Sequence, residues 1–67
     1  MSVLGDRLAE SRKSKGSTQK QMAELLSITP RAWQRYESGD REPNVEQLIK
    51  LADYFGVTLD YLVGRDA

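Results

Sequence analysis

Apolar residues recur at helical spacing along the whole chain, in short runs that are separated by residues typical of helix ends. Glycine follows the runs that end near residues 15 and 55, and serine, threonine or asparagine residues suited to capping precede several of the runs. No stretch alternates polar and apolar residues with the period of two that a half-buried strand requires. The pattern therefore predicts an all-α fold, a compact bundle of about five short helices.

The start and stop signals place the five helices along the chain. The first helix runs from Ser2 to about Lys15, and the second is capped by Ser17 or Thr18 and runs through Leu26. The third runs from Pro30 to about Glu37 with Thr29 as its cap. The fourth lies between Asn44 and Gly56, and the last runs from Leu59 to Val63. In the fourth helix the residues expected to face the core are Val45, Leu48, Ile49, Leu51, Ala52 and Phe55.

Length and residue content narrow the possible functions. The chain has 67 residues, which suits a single domain over residues 1–67, and a chain of this size buries only about 60% of its surface. It contains no cysteine and no histidine, which excludes disulfides, thiolate metal sites, thiol nucleophiles and histidine bases. We therefore expect no metal site, no cofactor and no enzymatic activity.

The charges are balanced in number but not in position. Ten basic residues face ten acidic ones, yet residues 1–41 hold eight of the basic and five of the acidic side chains, and residues 42–67 hold two and five. Between Arg12 and Arg35, six basic residues accompany a single acid, Glu24. This stretch predicts a surface for an anionic partner.

The sequence also bears on location. No apolar run approaches the roughly 20 residues of a membrane span. The N-terminal segment, Met-Ser-Val-Leu-Gly-Asp, lacks the charged and apolar regions of a signal peptide. A cytoplasmic protein with no membrane partner is therefore expected.

The segment from Thr18 to Tyr36 combines a short helix, a turn of three to four residues and a second short helix, the spacing of a DNA-binding helix-turn-helix, although periodicity alone also fits any helical hairpin. The chain resembles the Cro-type phage-repressor (XRE) helix-turn-helix family at Thr18-Gln19, Met22-Ala23, Leu26, Ile28, Arg35-Tyr36-Glu37, Ser38-Gly39, Arg41-Glu42-Pro43, Leu48, Leu51-Ala52, Phe55-Gly56-Val57 and Leu59-Asp60-Tyr61-Leu62. The resemblance covers about residues 4–64. It implies a lambda-repressor-like domain with its helix-turn-helix at about residues 18–37.

The same resemblance implies a sequence-specific transcriptional regulator of the repressor type, which binds a pseudo-palindromic operator in double-stranded DNA. Its third helix would enter the major groove and contact bases through Pro30, Arg31, Gln34 and Arg35. Arginine can bond guanine O6 and N7, glutamine can bond adenine N6 and N7, and proline offers only an apolar contact to a thymine methyl. The alternative is a solvated helix face, and for Arg35 also a phosphate contact.

Other residues match positions that hold the DNA backbone in this family. The expected phosphate contacts are Gln19, Thr29, Arg41, Asn44, Lys20 and Arg12, with Lys13 as a longer-range contributor. Gln19 lies at the first turn of the second helix, where unpaired backbone N–H groups and the helix dipole attract a phosphate oxygen. Thr29 is equally well explained as a simple helix cap.

Four residues in or next to the helix-turn-helix carry further expectations. Arg12 and Glu37 match a family ion pair that joins the first and third helices, with two unrelated surface charges as the alternative. Trp33 is expected in the core rather than stacked on a base. Ser27 occupies a turn position that is commonly glycine in the family, because the backbone there tends to positive φ.

The resemblance further implies a homodimer, with Leu59, Tyr61 and Val63 of the last helix as the candidate dimer contact. Two such domains would place recognition helices about 34 Å apart, in successive major grooves. Two other functions stay open: an interaction module for a regulatory protein such as an anti-repressor or a toxin, and the DNA-binding domain of a longer repressor. An enzyme is the weakest alternative.

Overall fold

The computed structural model describes residues 2–65, and these form five helices. In chain order they are α1 (Val3–Lys15), α2 (Gln19–Leu26), α3 (Pro30–Ser38), α4 (Val45–Phe55) and α5 (Leu59–Val63). The all-α prediction is confirmed, and each helix begins and ends within about one residue of its predicted limits. No helix within residues 2–65 is long and apolar enough to cross a lipid bilayer.

Every helix begins at a polar cap. The side chains of Ser2, Thr18, Thr29, Asn44 and Thr58 each accept a hydrogen bond from the backbone N–H three residues later. At Thr18 and Asn44 a glutamine also bonds back to the cap residue, which completes a capping box. Ser17, the other candidate for the start of α2, is instead buried, and its hydroxyl oxygen lies 2.6 Å from that of Tyr54.

The core forms where α1 packs on α3 and α5, and where α2 packs on α3. Its largest fully buried side chains come one from each helix: Leu8, Met22, Trp33, Leu51 and Leu62. The prediction that Trp33 belongs to the core is confirmed. Because the indole points inward, the opposite side of α3 faces solvent.

A close approach between α1 and α3 depends on Gly5. A Cβ atom built at this residue would lie 2.5 Å from the backbone oxygen of Glu37 and 2.9 Å from that of Tyr36. Only a residue without a side chain fits there, so the start of α1 can rest directly on the last turn of α3.

The predicted buried face of α4 is wrong at two residues. Val45 and Ile49 are 69% and 46% exposed, whereas Leu51 and Ala52 are buried. Val45 is the first residue of the helix, where solvent reaches its end. Ile49 is rotated by about 100° from Leu48 around the helix axis, which takes it away from the side that the rest of this small bundle covers.

Candidate nucleic-acid interface

The turn between α2 and α3 consists of Ser27, Ile28 and Thr29. Ser27 adopts the left-handed conformation, with φ 57° and ψ 43°, and is the only described residue other than glycine with positive φ. The backbone N–H of Ile28 donates to the carbonyl of Ala23 at 2.9 Å, which closes α2. The positive φ expected at Ser27 is confirmed.

The outer side of α3 carries the predicted base-contacting residues. Arg31, Gln34 and Arg35 are all exposed and follow one another at spacings of three and one, which puts them on one side of the helix. Pro30 is exposed at the first helical position. The structure thus brings the four residues together, while their contacts with bases stay predictions.

A cluster around the carboxylate of Glu37 lies behind this exposed side. Arg12 Nε donates to Glu37 Oε2 at 2.6 Å and Arg12 Nη2 to Oε1 at 3.4 Å, so the expected ion pair is present. Trp33 Nε1 also donates to Oε2, and Gln19 Nε2 donates to Oε1 at 3.0 Å. The two charged side chains are only 14% and 11% exposed, so water does not replace these contacts. We call Glu37, Arg12, Trp33 and Gln19 the Glu37 cluster.

The Glu37 cluster sets the ionisation of its carboxylate. Burial by itself raises the pKa of Glu37, but the hydrogen bonds from Arg12, Gln19 and Trp33 and the charge of Arg12 outweigh it and lower the pKa below its usual value. Glu37 is therefore a carboxylate at neutral pH and can only accept hydrogen bonds.

Gln19 links the Glu37 cluster to the exposed side of α3. Its Nε2 faces Glu37, and its Oε1 accepts a longer hydrogen bond, 3.4 Å, from Nε2 of Gln34. A phosphate contact at Gln19 was predicted from the sequence, but neither of these two links was. The contact from Trp33 to Glu37 was missed as well, although their spacing of four residues on one helix could have indicated it.

The other predicted phosphate contacts differ in how far their side chains are already engaged. Thr29 caps α3 by accepting from Ala32 N at 3.1 Å, which leaves its hydroxyl hydrogen able to donate. Asn44 accepts from Gln47 N at 2.8 Å in its capping box. Arg12 is engaged with Glu37 and with the carbonyl of Ser17. Lys13, Lys20 and Arg41 are exposed.

The predicted dimer contact lies on a different helix, α5. Leu59 and Val63 are each 40% exposed and stand one helical turn apart. Tyr61 is half-buried, because the guanidinium of Arg7 lies 4.3 Å from its ring centroid and Arg7 Nη1 donates to its carbonyl. Two of the three residues therefore offer apolar surface to solvent.

Comparison with known proteins gives one family match and several similar regulators. The family model described as Helix-turn-helix matches residues 8–62. The HTH-type transcriptional regulator ImmR of Bacillus subtilis (strain 168) is 43% identical over 63 residues, which cover 94% of this chain and 50% of ImmR. The cryptic phage CTXphi transcriptional repressor RstR of Vibrio cholerae is 42% identical over 62 residues, 92% of this chain and 55% of RstR. The chain thus spans about half the length of the curated relatives it matches.

Two solved structures share the arrangement of the five helices. A transcriptional regulator from Listeria innocua aligns with a TM-score of 0.86 and 39% identity, over 91% of this chain and 57% of that chain. The P22 c2 repressor, solved in complex with a synthetic operator, aligns with a TM-score of 0.86 and 26% identity, over 98% of this chain and all of that chain. The lambda-repressor-like fold expected from the sequence is confirmed.

Proposed function

Because the chain belongs to the XRE-type helix-turn-helix family, we propose that it binds a specific DNA sequence and regulates transcription as a repressor. The observation that carries this proposal is the exposed side of α3, where three side chains able to read base edges stand together: Arg31, Gln34 and Arg35. The names of ImmR and RstR, and the operator complex of the P22 c2 repressor, support the same function. The cytoplasm of a bacterium is the compartment that this function implies.

In this proposal α3 is the helix that enters the major groove. Trp33 and Tyr36 anchor its inner side in the core, so the helix is held rigidly while its outer side approaches the bases. Arg31 and Arg35 suit guanine, and Gln34 suits adenine. Pro30 contributes an apolar contact at the start of the helix.

Phosphate contacts would fix the position of α3 without reading sequence. Gln19 stands at the first turn of α2, and Thr29 and Asn44 at the starts of α3 and α4. Each helix start directs backbone N–H groups outward, which favours a phosphate oxygen. Lys20, Arg41 and Arg12 add positive charge around these sites.

One such domain reads only a few base pairs, so we infer that two copies bind together on a pseudo-palindrome. Recognition helices about 34 Å apart would reach successive major grooves on one side of the duplex. The exposed apolar pair Leu59 and Val63, with Tyr61 between them, supports α5 as the contact between the copies.

Selection of bound duplexes from a random DNA pool at about 0.15 M salt tests this function, because that salt suppresses purely electrostatic binding. We expect enrichment of an inverted repeat. Absence of any enriched sequence would contradict sequence-specific binding and would favour an interaction module for a regulatory protein.

Two alanine variants separate base reading from backbone binding on the enriched duplex. Arg31→Ala should lose roughly 5- to 150-fold discrimination at one base pair, because a bidentate arginine contact is worth about 1–3 kcal/mol. Lys20→Ala, the comparison variant at an exposed predicted phosphate contact, should weaken specific and random duplexes alike. Equal losses on both duplexes for Arg31→Ala would contradict its role in base reading.

The greater length of the relatives favours one alternative, namely that this domain acts as the DNA-binding part of a longer regulator whose dimer contact lies elsewhere. The same DNA selection separates this alternative from a dimer through α5. An enriched half-site without a fixed partner half-site would support the alternative and would contradict the inverted repeat expected above.

A further inference from the structure

The two oxygens of the Glu37 carboxylate serve different partners. Oε2 accepts from Arg12 Nε at 2.6 Å and from Trp33 Nε1 at 2.5 Å. Oε1 accepts from Gln19 Nε2 at 3.0 Å and, at a longer 3.4 Å, from Arg12 Nη2. One oxygen is therefore held by the interior of the domain, and the other faces the glutamine that leads to the exposed side of α3.

This arrangement fixes the direction of two amide groups in turn. A carboxylate has no hydrogen to donate, so Gln19 must present Nε2 to Glu37, and its Oε1 is left facing Gln34. Gln34 must then present its own Nε2 to Gln19. This order follows from donor and acceptor chemistry alone.

Resting on the DNA-binding function above, we propose that Glu37 is a specificity-positioning residue, which acts through Gln19 to fix how the amide of Gln34 faces a base. With one hydrogen of Nε2 engaged by Gln19, Gln34 offers the base one donor and one acceptor. Adenine presents one acceptor, N7, and one donor, N6, in the major groove, whereas guanine presents two acceptors, N7 and O6. We call the hydrogen bonds from Gln19 to Glu37 and from Gln34 to Gln19 the relay. The relay therefore makes Gln34 select adenine and reject guanine.

Glu37→Gln is the variant that reverses the relay. Its amide oxygen should take the place of Oε2, because Arg12 Nε and Trp33 Nε1 both need an acceptor there. The amide nitrogen then faces Gln19, which must turn its oxygen toward residue 37 and its nitrogen toward Gln34. Gln34 in turn accepts from Gln19 and is left with two N–H donors for the base, the pattern that suits guanine.

The test measures affinities for the duplex enriched by the parent chain and for its single base-pair variants. Gln34→Ala first identifies the base pair that Gln34 reads, as the pair at which its discrimination is lost. We expect the parent to prefer adenine over guanine there by roughly tenfold. Glu37→Gln should remove or reverse that preference and leave the relative preferences at the other base pairs unchanged. An unchanged adenine preference, or equal losses at every base pair, would overturn the proposal.

Tyr36→Phe is the matched control for indirect effects of stability. It removes a different hydrogen bond of α3, from the buried Tyr36 hydroxyl to Gln47 Oε1 at 3.0 Å, and should leave the adenine preference intact. If Glu37→Gln does not fold by circular dichroism, Gln19→Met interrupts the relay with Glu37 in place and should likewise lose the adenine preference.

The design separates two failures. If the parent enriches no duplex, the DNA-binding function fails, and the relay fails with it. If the parent enriches a duplex but Gln34→Ala changes the preference at no base pair, only the relay is overturned.

Discussion

Three helices meet at the carboxylate of Glu37, which lies in α3 and receives donors from α1 through Arg12 and from α2 through Gln19. Desolvation of a charged pair offsets much of its attraction, so the pair adds less to stability than its short distance suggests. Its larger effect is on geometry, since a carboxylate with donors on both oxygens holds three helices in one relative orientation. That orientation decides where the exposed side of α3 stands with respect to the start of α2.

The lowered pKa of Glu37 predicts a specific loss of stability in acid. Burial opposes the shift, but the hydrogen bonds and the charge of Arg12 lower the pKa in the folded state below its unfolded value. The stabilisation is therefore present above the unfolded pKa and is lost as pH falls through the folded-state pKa. At pH 7 we expect Glu37→Gln to cost about 1.5–3 kcal/mol of unfolding free energy, the range for hydrogen bonds to a charged group.

Urea denaturation of the parent and of Glu37→Gln between pH 7 and pH 3 measures this effect. The difference between their unfolding free energies should be constant near neutral pH and shrink as pH falls below the unfolded pKa of Glu37. The other carboxyl groups are common to both proteins and cancel in the difference. A constant difference across the whole range would show that the pKa of Glu37 is not lowered by folding.

Side chains of this cluster illustrate what the sequence could and could not predict. The pairing of Arg12 with Glu37 was predicted only because the chain resembles a known family. The bond between Gln19 and Glu37 joins residues 18 positions apart, and no local pattern of residue types indicates it. Such contacts depend on the crossing of two helices, which is decided by packing of the whole core.

The crossing of α1 and α3 is set by Gly5, and this predicts the effect of adding a single methyl group. Gly5→Ala would place Cβ against two backbone oxygens of α3. These atoms cannot relieve the clash by a change of rotamer, as a side chain could. We expect a loss of about 1–3 kcal/mol in unfolding free energy, despite the better helix propensity of alanine. Ser14→Ala, at an exposed site in the same helix, should instead stabilise slightly. Equal stability of Gly5→Ala and the parent in thermal denaturation would refute the close approach.

In the turn between α2 and α3, a substitution at Ser27 should raise the unfolding free energy instead of lowering it. Ser27 holds φ at 57°, which costs a residue with a side chain about 1–2 kcal/mol. Ser27→Gly removes that strain but makes the unfolded chain more flexible, so we expect a net gain of about 0.5–1 kcal/mol. Glu10→Gly, at an exposed site in the interior of α1, should lose about 0.5–1 kcal/mol. The same sign for both variants in urea denaturation would mean that Ser27 is not strained.

The helices themselves were predictable because their signals are local. Thr18, Thr29, Asn44 and Thr58 cap helices by bonding to backbone only three residues away, so residue type and position suffice. The exposure of Ile49 was not predictable in this way. Helical periodicity identifies an apolar stripe, but how much of the stripe is covered depends on which neighbouring helices pack against it.

The molecule as a whole keeps its two expected functions on different elements. Most residues expected to contact DNA lie on or next to α2 and α3, with Arg12 on α1 and Asn44 before α4, whereas Leu59 and Val63 lie on α5. Apart from Asn44, the charge follows the same division, since residues 42–67 carry an excess of acid that disfavours close contact with phosphates. A dimer through α5 therefore leaves α3 of both copies available for a duplex.

Two matched double variants test the proposal that the apolar pair of α5 joins two copies on DNA. Leu59→Ser with Val63→Ser removes the exposed pair of α5, and Val45→Ser with Ile49→Ser removes the equivalent pair of α4; in each the first residue begins its helix and the second lies four positions later. We expect the α5 variant to lose cooperative binding to an inverted repeat by roughly tenfold or more, because the substitutions remove the apolar surface that would be buried between the copies. Its affinity for a single half-site should be kept. The α4 variant should keep both properties. Titration of duplexes with one and two half-sites by gel shift measures them, and loss of cooperativity in the α4 variant alone would move the dimer contact from α5 to α4.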